Sequence, residues 1–167
     1  MAERAPGELT PTCILAMVAE DGSYDHVLRA AVHLAARRGA RLILWDSTTA
    51  SSFTDPVATE VSAEGAGDRF GALLSDVELE QLGRPAMARA VLDAREAGID
   101  AWARLGTAHG ADVLVEEAGT LGADLIVLPE ELDDPGVLVR LRGDTVEKAR
   151  DEASVPVLVV ARSGALR

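Results

Sequence analysis

A chain of 167 residues with 48% hydrophobic content is long enough for one domain with its own core and too short for two. Its 28 acidic against 16 basic residues leave a net charge of −12, which argues against nucleic acid and anionic membranes as partners, since both are bound by Lys and Arg. The lone cysteine, Cys13, excludes an intrachain disulfide and a thiolate-rich metal site.

Residues 1–11 read as an N-terminal arm. Glu3, Arg4, Pro6 and Glu8 interrupt it, so it lacks the apolar stretch of a signal peptide, and nowhere do 18 apolar residues run together. A cytoplasmic location is therefore expected. Lys148 is the sole lysine, and with the abundant Ala and Gly this suggests a GC-rich bacterial genome. The main domain spans residues 12–162 and opens on Cys13 to Ala19, a continuous apolar run of the kind found in strands covered on both faces. Glu20-Asp21-Gly22-Ser23 turns the chain, and Ser23 or Asp25 is expected to cap a helix carrying Val27, Leu28, Ala31, Leu34 and Ala35 at helical spacing. Gly39 stops that helix, and Leu42 to Trp45 forms a second buried strand, which completes a right-handed βαβ unit.

Residues 47–68, without Lys or Arg and rich in Ser, Thr, Ala and Gly, read as a mobile insertion. Helix is expected between Phe70 and Ala97, divided near Gly83-Arg84-Pro85. Ile99, Ala101, Ala103 and Leu105 alternate with Asp100, Trp102 and Arg104, as in a half-exposed edge strand. A helix through Val113, Leu114, Ala118 and Leu121 leads to a buried strand, Ala123 to Leu128. A short helix from near Asp144 then precedes the last strand, Val155 to Ala161, and a tail at residues 163–167. Five parallel strands alternating with helices make a doubly wound α/β sheet.

Three blocks resemble universal stress protein signatures. They are Ile14 to Val18 with the helix end Leu34 to Leu42, then Gly122 to Leu128, then Gly143 through Glu147-Lys148 to Val160. The resemblance covers almost the whole chain outside the insertion. It implies a sheet of order 3-2-1-4-5 with helices on both faces, commonly as a homodimer paired through the last strand.

Many members of that family bind ATP through a loop of pattern G-x2-G-x9-G-(S/T) after the fourth strand, where glycines let backbone N–H groups approach the phosphates. This sequence departs from the pattern. Pro129, with no N–H to give, stands at the first glycine, Leu132 at the second, and Gly143 lies one residue out of place with Asp144 at the hydroxyl position and Thr145 beside it. Glu130, Glu131, Asp133 and Asp134 crowd the approach, where each like-charge contact at roughly 4 Å costs about 4 kcal/mol at a surface-like dielectric. Arg140 and Arg142 offset part of this. The family's Asp after the first strand aligns with Ala19, and Asp21 follows two residues later.

The remaining chemistry-bearing residues read as structural. The adjacent acids after Pro129 read as a solvated loop and not as a metal site, and His26, His33 and His109 are too dispersed to act as ligands or as part of a triad. Trp45 and Trp102, on neighbouring strands, are expected to pack in the core or an interface and not to stack a ligand. A phosphorylation receiver is excluded by Pro129, which stands where the phosphoacceptor Asp belongs, and by the six residues left after Ala161, too few for a closing helix. The apolar last strand at the sheet edge is expected to be covered, by a second copy through Val155, Val157 and Val159 or by the chain's own ends. The expectation is a dimeric interaction domain with no catalytic residue, no metal and an unknown protein partner, which does not bind ATP in the family's usual way. The rival is a nucleotide binder using Asp21, Gly143, Asp144 and Thr145 with Mg²⁺, or a binder of another small anion.

Overall fold

In the computed structural model, which describes residues 10–46, 72–106, 111–130 and 145–167, apolar runs in the sequence become the strands of one sheet. These are β1 (Cys13–Val18), β2 (Arg41–Asp46), β3 (Ala101–Leu105), β4 (Leu125–Pro129) and β5 (Val157–Val160). All neighbours are parallel and the order is β3-β2-β1-β4-β5, as expected. The helices are α1 (Asp25–Arg38), α2 (Asp76–Gln81), α3 (Pro85–Glu96), α4 (Ala111–Leu121) and α5 (Thr145–Glu152). The insertion expected at 47–68 lies outside the described residues, as does most of the N-terminal arm.

The two-residue period of a strand sends alternate side chains to opposite faces, and that alternation builds two cores. On one face Ile14, Ala16 and Val18 of β1 and Leu42 and Leu44 of β2 pack with Val27, Ala31 and Ala35 of α1 and with Met87, Val91 and Ala94 of α3. On the other, Leu15, Met17, Ile43, Trp45, Ile126 and Leu128 pack with Leu114 and Ala118 of α4 and Val146 and Ala149 of α5. With helices on both faces, the continuous apolar runs are buried on both sides.

The helix boundaries correct the sequence expectation in two places. Ser23 and Asp25 do not cap α1: its N-cap position is Tyr24, which makes no side-chain capping bond, while the Ser23 hydroxyl turns back to Asp21. The helix expected from Phe70 starts at Asp76, where Ser75 and Glu78 form a capping box with Glu78 accepting from the Ser75 backbone N–H at 2.8 Å. At the other end of α1, Gly39 adopts φ 64°, a left-handed conformation that stops the helix without a Cβ penalty.

Both sheet edges are covered. Leu74 pairs antiparallel with Ala103 through two main-chain bonds of 2.8 and 3.0 Å, and so covers β3. On β5 the cover is the chain's own tail: Val160 bridges Leu166, and Val159 exchanges 2.9 Å bonds with Arg167 in both directions. Of the two covers considered from the sequence, the tail lies over Val159 to Ala161. The half-exposed reading of β3 also needs correction. Arg104 is buried, because its guanidinium is paired with Glu117 of α4.

Side chains lock the start of the central strands. The Asp124 carboxylate, just before β4, accepts from the Thr12 and Cys13 backbone N–H groups at 2.9–3.0 Å and from the Thr12 hydroxyl at 2.7 Å. Asp124 N–H in turn donates to the Cys13 carbonyl at 2.9 Å. Burial pushes the Asp124 carboxyl up, but the bonds from Cys13 and Thr12 outweigh it, so it lies below the usual carboxylate range. Asp124→Asn is expected to destabilise the fold by about 1–3 kcal/mol at pH 7, since hydrogen bonds to a charged group are lost. Because the folded-state value is depressed, this contribution is present above about pH 4 and fades as pH falls through the folded-state value. Urea midpoints of wild type and variant should therefore converge as the pH is lowered from 7 towards 3.

Candidate functional site

Strand order reverses between β1 and β4, and in open α/β sheets the crevice beyond the carboxyl ends of such strands is where ligands bind. The residues gathered there are Ala19 to Asp21 after β1, Trp45 and Asp46 ending β2, Gly106 after β3, and Pro129 and Glu130 at the end of β4. The next described element, α5, starts at Thr145.

Glu20 has a role the sequence reading missed. Its two carboxylate oxygens accept the backbone N–H groups of Ala86 and Met87, at 2.8 and 2.9 Å, in the first turn of α3. Arg84, the N-cap residue of α3, supplies no capping side chain, and Pro85 has no N–H. The orphan donors and the positive end of the helix dipole are thus satisfied by a carboxylate 66 residues away in sequence. The available signal was a Pro-initiated helix with no Ser, Thr, Asp or Asn before it.

Asp21 lies on the exposed turn after β1. Hydrogen bonds from the Ser23 hydroxyl and from the Ser23 backbone N–H, at 2.9 Å, hold its carboxyl below the usual range. Gly22, at φ 78°, makes the turn that brings these groups together. Of the four residues expected around a nucleotide, Asp21 is therefore engaged with its own turn, and Thr145 opens α5. Gly143 and Asp144 lie outside the described residues, as do Leu132, the remaining acids of the loop, and Arg140 and Arg142.

Two further features were not legible in advance. Asp46, 1% exposed, sits 3.6 Å from the Arg84 Nε, so an ion pair ties the end of β2 to the start of α3. Trp45 is also 1% exposed, and its buried indole N–H has no hydrogen-bond partner among the described residues. A Cβ at Gly106 would lie 2.7–2.9 Å from that indole, so only glycine lets β3 end against Trp45. Trp102 is held separately, with Arg95 4.5 Å over its ring and its N–H donating to Asp100. The two tryptophans pack structurally and do not form a stacking pair.

At the β4 end, Pro129 is buried in register with Val160, and Glu130 pairs with Arg167 at 2.7 Å. His26 is buried with its ring edge-on to Tyr24, and His33 is exposed on α1. Among the described residues no three His, Cys, Asp or Glu side chains converge on a common point. A pocket of about 160 Å³ lies at the opposite end of the sheet, between α4 and the start of β5, and is lined by residues such as Ala118, Gly122 and Val155 with no titratable group. No helix among the described residues is long and apolar enough to cross a membrane.

No family model matches the chain, and no curated protein matches it. Solved structures do. A universal stress protein in complex with cAMP is 22% identical, with a TM-score of 0.54 over 91% of this chain and 98% of that one. The universal stress protein from Archaeoglobus fulgidus in complex with dAMP is 18% identical, with a TM-score of 0.54 over 90% and 98%. The universal stress protein UspA from Lactobacillus plantarum is 22% identical, with a TM-score of 0.55 over 89% and 96%. The chain thus has the universal stress protein fold.

Two substitutions test this geometry. Glu20→Ala, which uncaps α3, is expected to cost about 1 kcal/mol of stability in urea unfolding. Gly106→Ala, which drives a methyl group into the buried Trp45 ring, is expected to cost about 1–3 kcal/mol and to shift the tryptophan fluorescence.

Proposed function

We propose that this chain is a universal-stress-type regulatory domain that acts through contacts with protein partners, and that its crevice takes ATP poorly. The observation that carries this reading is the chemistry of the crevice mouth. A triphosphate needs free N–H donors and positive charge. The strand that should deliver it ends on Pro129, which has no N–H, and then on Glu130. The N-terminus of α3 holds the carboxylate of Glu20, and Asp21 is engaged with Ser23. Asp46 takes up Arg84, while Arg167 is paired with Glu130. In sequence, Glu131, Asp133 and Asp134 follow within four residues of Glu130. None of these groups forms a nucleophile with a base, so the reading is of a non-catalytic domain.

The second reading rests on the two solved structures that hold cAMP and dAMP on the same fold. A mononucleotide carries less charge than ATP and suffers less repulsion from an acidic mouth. In that reading Asp21, Gly143, Asp144 and Thr145 surround the ligand, and Arg140 and Arg142 read its phosphate or another small anion.

Native mass spectrometry of the purified chain and calorimetric titration with Mg·ATP, AMP and cAMP separate the two. The interaction reading expects no retained nucleotide and no ATP heat below the millimolar range. Micromolar ATP binding overturns it, and micromolar binding of AMP or cAMP alone establishes the second reading.

A further inference from the structure

We propose that the outward face of α1 is a docking surface for an acidic segment of a partner protein, held by Arg29 and Arg37 with His33 between them. The inference rests on the interaction reading above, and it names the chemistry of the partner and the surface it meets.

Arg29, His33 and Arg37 follow one another at four-residue intervals along α1, and all three are exposed. Residues at that spacing are neighbours on a helix surface, so the two arginines leave the backbone about 12 Å apart with the imidazole midway. Val32 and the exposed Ala36 lie between them, and such short side chains let a partner segment approach closely. With three arginines and one aspartate, α1 carries an excess of positive charge in a chain whose net charge is −12.

The fold makes little use of these two arginines. Every other described arginine has a partner, from Arg41 with Asp100 at the start of β2 to Arg167 with Glu130 at the tail. Arg29 and Arg37 have no ion pair or hydrogen bond to any described residue, Asp25 one turn before Arg29 included. Arg37 complements the negative end of the helix dipole, as Arg38 does. Arg29, in the second turn, lies towards the positive end and gains nothing there. Carboxylates from outside would supply the charge-assisted bonds that both guanidinium groups lack.

The charge balance of the whole chain selects the kind of anion. A nucleic acid or an anionic membrane extends far beyond α1 and would face the acidic remainder of the surface. A short acidic segment meets the stripe alone, because at physiological ionic strength charges act over a Debye length of about 8 Å.

Fluorescence anisotropy tests this with a labelled helical peptide carrying Glu at every fourth position. The comparison probes are its Gln counterpart, a single-stranded DNA oligonucleotide and phosphatidylserine vesicles. The full-length wild type is expected to bind the Glu peptide at least about tenfold more tightly than any of these, and less tightly as salt is raised. Arg29→Glu/Arg37→Glu should weaken that binding at least about tenfold, while Arg29→Lys/Arg37→Lys, which keeps the charge, stays within about threefold. Arg89→Glu/Arg150→Glu makes the same change of net charge on exposed arginines elsewhere and should also stay within about threefold. An equal loss in both charge reversals, no preference for the Glu peptide, or tighter binding of the oligonucleotide or vesicles overturns the proposal. Amide spectra of the wild type give a reading that does not depend on the variants folding. Shifts on adding the Glu peptide should centre on Arg29 to Arg37, and shifts centred elsewhere, or none, overturn the proposal. ATP titration is a separate readout. Micromolar ATP binding overturns the interaction reading, whereas an inert α1 with ATP still refused sinks only the docking surface.

Discussion

The Asp124 carboxylate fixes the register on which the rest of the sheet depends. It joins the strands on either side of the order reversal, since it precedes β4 and binds the backbone that leads into β1. With Ile14 held opposite Leu125, the two strands run in step and their far ends define the crevice. One side chain at the amino end of the sheet thereby sets the geometry at the carboxyl end. A slip of β4 by one residue would turn its side chains over, moving Ile126 to the side of α1 and α3 while Leu15 of β1 kept its own face.

At the carboxyl end the chain uses its acids structurally. Glu20 acts as a helix cap, Asp46 as the partner of Arg84, and Glu130 as the anchor of the tail. A phosphate-binding mouth of this architecture presents helix N-termini and main-chain N–H groups to the ligand. Here a carboxylate already occupies such a terminus and a proline removes one of the donors. In the reading proposed above, the field left at the mouth suits cationic or neutral surfaces more than a triphosphate. The same economy operates at the sheet edges, where Leu74 and the tail each supply a short antiparallel cover, so that neither edge strand is left bare for unselective pairing.

How much of this was legible in the sequence follows from the range of each interaction. The strands were legible because burial on both faces demands unbroken apolar runs such as Ile14 to Val18 and Leu125 to Leu128, and α1 because Val27, Ala31 and Ala35 share one face and Gly39 ends it. The start of α2 was missed although Ser75-Asp76-Val77-Glu78 spells a capping box, a local signal that Phe70 and the leucines after it obscured. Glu20 on α3, Arg104 with Glu117, and Gly106 against Trp45 were not legible, because each joins residues that only the folded sheet brings together. Of the candidate site, Asp21 lies on a turn after the first strand, while Pro129, read as the first position of the loop, is the last residue of β4. What the sequence could not give was the partner each charge had already taken.

The central claim is that the mouth between β1 and β4 does not receive ATP. Backbone amide spectra of the isotopically labelled chain, recorded with increasing Mg·ATP, test it at the residues concerned. The account predicts that the amides of Ala19 to Ser23, Glu130, and Ala86 and Met87 on Glu20 remain in place up to millimolar nucleotide. Saturable shifts confined to those amides at micromolar ATP would contradict it.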